Sequence, residues 1–156
     1  MEAEAFLSEG RIVAVSVSNR KGIKKSNLPE CKLLEYEGLD GDAHAGDWHR
    51  QVSLLAMESI NKIREKGLEV SPGDFAENIT TSGLKIWELP LGTRLAVGSE
   101  ALLEVTQIGK ECHDRCAIYH QVGDCVMPRE GVFTRVLRGG TIRPGDEIRL
   151  LLQADG

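Results

Sequence analysis

The chain has 156 residues, 41% hydrophobic and 28% charged, with a net charge of −5; these are the values of an ordinary globule large enough to bury a core unaided. The acidic balance and the 4% aromatic content argue against a broad nucleic-acid surface. Four cysteines are too few for a disulfide scaffold. No apolar run reaches the ~20 residues of a membrane span, and the acidic start lacks a signal peptide's basic and apolar regions, so a cytoplasmic protein with reduced thiols is expected.

Residues 1–10 read as a leader, and residues 11–152 as a single domain. Arg11 to Ser18 alternates with period two, which predicts a first strand with Val13, Val15 and Val17 on one face. The loop from Asn19 to Asn27 is basic, with four cations between Arg20 and Lys25. Such runs are solvated surfaces or anion sites, since ammonium and guanidinium groups pair well with phosphate. Cys31 to Tyr36 is a second strand, with Cys31 an inert thiol.

Gly38 to Arg50 is turn-rich, and its glycines permit close backbone approach to a ligand. Asp40 and Asp42 do not extend into a calcium loop: position six would be Ala45 and position twelve Gln51. His44 and His49 read as scaffolding, ligands or acids. Ser53 to Lys66 predicts a helix with Ala56, Ile60 and Ile63 as its apolar stripe, a Glu58–Lys62 pair and a stop at Gly67. Asn78 reads equally as a ligand-holder or a turn cap. From Gly92 onward short strands separated by glycine suggest a barrel or sandwich. Pro128 to Arg138 predicts a second helix with Val132, Phe133, Val136 and Leu137 on one face, and Glu147 to Leu152 a closing strand.

The densest chemistry is Cys112-His113-Asp114-Arg115-Cys116, with His120 and Cys125 following. Thiolate fraction rises beside cations, which favours Cys116 after Arg115 over Cys112 beside Glu111. Zinc would draw on Cys112, Cys116, His113 or His120 with His44 or His49, but the usual Cys-x-x-Cys pair is missing. A Cys–His hydrolase and redox chemistry are further alternatives. Phosphate-loop and dinucleotide glycine patterns are absent.

Taken together, residues 38–46 and 49–55, residues 74–84, Cys112 to Cys125, and Met127 to Phe133 with Gly139-Gly140 resemble the MOSC family, named for the C-terminal domain of molybdenum cofactor sulfurase. The resemblance spans about residues 11–151 and matches the short, stand-alone members. It implies a mostly β fold: an antiparallel β-barrel with a few flanking helices. It also implies a molybdenum–molybdopterin cofactor contacted by cysteine, and the family carries an association with pyridoxal phosphate. In the amidoxime-reducing relatives the molybdenum-ligating cysteine lies in an Arg-Cys pair, which matches Arg115-Cys116; Cys112 is the secondary thiol. Asn78 matches the family's asparagine, although Ala76 stands where those relatives have arginine. Lys24, Lys25 and Ser26 approximate their phosphate-binding lysine-serine pair. The pterin's phosphate would need cations, for which Lys24, Lys25, Arg50 and Arg129 are candidates on separate loops, and His44 is a further candidate cofactor contact.

The expected function is a molybdopterin or sulfur carrier acting through a thiolate or persulfide. Its partners would be a molybdoenzyme or a sulfur donor. The alternatives are a molybdenum-dependent reductase of N-hydroxylated compounds served by an external reductase protein, and a silent protein-interaction barrel. No nucleic acid or membrane partner is expected.

Overall fold

The computed structural model describes residues 9–20, 24–109 and 127–151. Cys112, Arg115, Cys116 and Cys125, with His113 and His120, lie outside the described residues.

The strands are β1 (Glu9–Val17), β2 (Ser26–Leu28), β3 (Cys31–Leu34), β4 (Gly38–Leu39), β5 (Val52–Ala56), β6 (Ile79–Ser82), β7 (Arg94–Val97), β8 (Ala101–Ile108), β9 (Val132–Arg138), β10 (Gly140–Ile142) and β11 (Glu147–Leu151). Seven of them, in the order β11-β7-β8-β9-β5-β6-β1, form a ring that the β1–β11 pairing closes, while β2 extends it from β1. All pairings are antiparallel except β5 with β6, so the barrel is mixed. Strands β10, β3 and β4 make a separate small sheet. The helices are α1 (Met57–Arg64) and the short α2 (Met127–Glu130), with a 3-10 turn at Ile86–Glu88. No helix among the described residues is long and apolar enough to cross a membrane.

The barrel interior is filled by Ile12, Val15, Val52, Leu54, Ile79, Leu95, Leu103, Val132, Val136 and Ile148 with their neighbours. A second cluster lies outside β5 and β9, where Leu55 and Phe133 pack against Ile60 and Ile63 of α1 and against Val70 and Phe75. Burying such a side chain is worth about 1.5–3 kcal/mol, which holds α1 in place despite an N-terminus with no side-chain cap.

This second cluster explains two corrections. The expected helix from Ser53 begins only at Met57, because Val52–Ala56 is a strand buried on both faces. The expected helix Pro128–Arg138 is α2 followed by β9, with Val132 and Val136 in the barrel and Phe133 under α1. A strand covered on both sides loses its polar alternation and imitates a helix stripe. In α1 itself Ile60 and Ile63 are buried as expected. Glu58, however, accepts from the Gly83 N–H at 2.8 Å, and Lys62 turns to Glu130 at 2.6 Å.

The first strand also departs from its simple pattern. Its register against β6 slips between Ile12 and Ala14, so Val13 is the extra residue of a bulge. Ile12 and Val15 therefore face the core, while Val13 and Val17 are only partly buried. Gly10 lies within β1, and a Cβ there would meet the Ser82 carbonyl at 2.6 Å.

Candidate functional site

The β4–β5 connection, residues 40–51, carries His44, His49 and Arg50 and lies against the β8–β9 pair. The Thr106 hydroxyl donates to the His49 carbonyl and His49 Nε2 lies 2.8 Å from Gln107 Oε1. Gln107 pairs with Phe133 across the strands, Ile108 with Val132, and the Gly109 N–H then donates to the Gly131 carbonyl at 2.6 Å. In sequence, residues 110–126 follow Gly109 and precede α2, and they lie outside the described residues.

Arg50 is the cation at this place. Its guanidinium carbon sits 5.2 Å from the Trp48 ring centroid and 5.5 Å from that of Phe133. Such stacking favours a cation by roughly 0.5–2 kcal/mol, but it satisfies no N–H. Among the described residues the buried Arg50 Nε has no hydrogen-bond partner, and no carboxylate pairs with the group. An orphaned, charged donor in this position suits an oxyanion.

The other expected cofactor residues divide differently. Lys25 is buried, and its Nζ donates to Asp42 Oδ1 at 2.7 Å, with both side chains fully enclosed. Its charge is therefore neutralised inside the protein. Asp42 also accepts the Ser18 and His44 backbone N–H groups at 3.1 and 3.0 Å. Burial works to raise the Asp42 carboxyl, but the Lys25 ammonium at 2.7 Å and the backbone N–H groups of Ser18 and His44 hold it well below the usual carboxylate range. His44 Nδ1 lies 3.1 Å from Lys25 Nζ, and the His44 carbonyl accepts the Trp48 indole N–H at 2.7 Å. Lys24 and Ser26 are exposed beside this cluster, and Arg129 is exposed on α2.

Asn78 is a strand clip. Fully buried, it accepts the Ser53 N–H at Oδ1 (2.9 Å) and donates from Nδ2 to the Ser16 carbonyl at 3.1 Å, tying β1, β5 and β6 together. Glu77 beside it accepts from the Gly73 and Phe75 N–H groups and the Thr80 hydroxyl, and burial pushes its carboxyl up. Gln51 links the Tyr36 and Gly46 carbonyls to the Val136 N–H. Cys31 is buried, with its thiol pushed up by burial and then by Asp42. Among the described residues no group of His, Cys, Asp and Glu side chains is placed to hold a metal.

Sequence reasoning passed over Trp48, Gln107 and Phe133. Only Trp48 carried a signal, an indole set among His44, His49 and Arg50; Phe133 is brought in by strand pairing.

Fold and site define a small closed β-barrel with Arg50, a cation that no carboxylate among the described residues pairs, beside β8 and β9. A family model of the MOSC domain matches residues 40–149, and the chain belongs to that family. No curated protein matches significantly. Among solved structures, the YuaD protein from Bacillus subtilis superposes with a TM-score of 0.77 at 19% identity, over 91% of this chain and 95% of that one. YiiM from Geobacillus stearothermophilus gives 0.68 at 23%, over 92% and 75%. YiiM from Escherichia coli gives 0.63 at 20%, over 94% and 72%. At these identities the structures support the shared fold.

Proposed function

We propose that this chain is a molybdopterin-binding module that holds the cofactor, or sulfur destined for it, on behalf of molybdoenzymes. The observation that carries the reading is Arg50: a guanidinium stacked on two rings, with a buried Nε that no group among the described residues satisfies. In that respect the residues present fit an anionic pterin ligand. The MOSC domain assignment supports the choice of cofactor.

Arg50 would hold an oxyanion of the ligand through its planar donors. Cys116, the thiol beside Arg115, would supply the soft contact and could carry a persulfide in the same role. The bound group would supply a thiophilic, redox-active metal centre. Lys24 and Ser26, exposed at the edge of the Lys25–Asp42 cluster, are further candidates for phosphate contact. Lys25 has its ammonium committed to Asp42, which disfavours it both as a phosphate ligand and as a free amine for pyridoxal phosphate.

The test is retention of released molybdenum cofactor by wild type, Arg50→Gln and Cys116→Ser. A charge-assisted hydrogen bond of about 1.5–3 kcal/mol predicts a loss of roughly ten- to a hundredfold for Arg50→Gln. Equal retention by wild type and Arg50→Gln would remove the carrying observation. Turnover of an N-hydroxylated compound by the loaded protein with an artificial donor would move the assignment from carrier to reductase.

A further inference from the structure

We propose that the buried Lys25–Asp42 pair is a positioning device that fixes His44 as a neutral Nε2–H donor aimed at a ligand oxygen beside Trp48. The inference deepens the cofactor reading and rests on it for the identity of the ligand.

The first step is proton counting. Lys25 Nζ carries three protons and no lone pair. One proton goes to Asp42 Oδ1 at 2.7 Å, and His44 Nδ1 stands 3.1 Å from the same nitrogen. A hydrogen bond across that gap requires a lone pair on Nδ1, so the ring's single proton sits on Nε2. The competing arrangement protonates Nδ1 and turns it toward Asp42 Oδ2. That distance is 3.6 Å, too long for a hydrogen bond, and the arrangement would face an N–H against the ammonium.

The second step is where the free nitrogen stands. The His44 side chain is one-fifth exposed, while those of Lys25 and Asp42 are fully enclosed. Its ring lies parallel to the Trp48 indole, 6.3 Å between centroids, and Arg50 stacks on that same indole. Among the described residues Nε2 meets no acceptor. Two donors without a partner among the described residues, the buried Arg50 Nε and the part-exposed His44 Nε2, thus lie near one indole: one charged, one neutral.

The third step is why a lysine is buried to do this. An enclosed ion pair is costly to desolvate and stabilises little over an apolar pair of the same volume. Orienting an imidazole through its other nitrogen is an established use for such a partner. A methionine at position 25 would fill the space but remove the donor that keeps Nδ1 unprotonated, leaving that nitrogen free to carry the proton toward Asp42.

The test has two arms. In ligand-free protein with 15N-labelled histidine, long-range 1H–15N correlations at neutral pH should show His44 as a single Nε2–H tautomer. Lys25→Met should turn it toward Nδ1–H, now free to face Asp42. An Nδ1–H or doubly protonated ring in the wild type overturns the proposal. In the second arm, molybdenum cofactor binding should weaken about three- to tenfold in His44→Phe and recover in His44→Gln, whose amide places a neutral donor near Nε2. If Arg50→Gln weakens binding and His44→Phe does not, this inference falls and the cofactor reading stands. A wild type that holds no cofactor overturns both the cofactor reading and the ligand assigned to His44.

Discussion

Removing the Asp42 carboxylate should be among the most damaging single changes to the fold outside the apolar core. In Asp42→Ala the Lys25 ammonium stays enclosed with no counter-charge, and the Ser18 and His44 N–H groups lose their acceptor. Stranding one member of a buried ion pair costs about 3–5 kcal/mol, a large share of the roughly 5–15 kcal/mol that keeps a domain folded. Lys25→Met is milder, at about 1–3 kcal/mol, because Asp42 keeps its two backbone donors. In the double variant the ammonium is gone, so its cost should fall below the sum of the singles by about 1–3 kcal/mol. Urea unfolding of the four proteins at neutral pH closes this cycle. Additive costs, or an Asp42→Ala cost under about 1 kcal/mol, would refute the claim that the pair is dry and mutually dependent. The pH dependence carries the same sign. Because Asp42 is held below its unfolded value of 3.8, its contribution is complete above that value and disappears as pH falls through the lower folded one.

Three other outcomes follow. Gly73 has φ +96, and a Cβ there would lie 2.4 Å from the Lys25 carbonyl, so Gly73→Ala should cost about 2 kcal/mol or more. Gly67, at φ +94 in open space, should cost about 1 kcal/mol as alanine, and thermal unfolding should separate the two. Glu130 is held low: burial works to raise it, but hydrogen bonds from Lys62 and Ser59 outweigh that. Its clamp on α1 should therefore be intact above the unfolded value of 4.5 and weaken as pH falls through the lower folded one, a dependence that unfolding of Glu130→Gln should lack.

How far the sequence disclosed the molecule depends on what each residue's neighbours are. Strands β7, β8 and β11 show their alternation because one face meets solvent. Strands β5 and β9 hide theirs, because α1, Val70 and Phe75 cover the outer face that Leu55 and Phe133 share. The bulge at Val13 reverses half of β1, and a slip of one residue leaves no mark on composition. At the site, Arg50 was legible as a cation in a turn-rich loop beside two histidines. Its stacking on Phe133, on a strand far along the chain, was not. Lys25 and Asn78 were picked out for their chemistry, and that chemistry is spent inward: one on Asp42, the other on Ser53 and Ser16.

Elemental analysis of the purified chain after expression with added molybdate tests the central claim most directly. The account predicts molybdenum in near-equimolar amount in the wild type, with clear losses in Arg50→Gln and Cys116→Ser. Molybdenum absent from the wild type under conditions where a molybdoenzyme expressed alongside is fully loaded would contradict it.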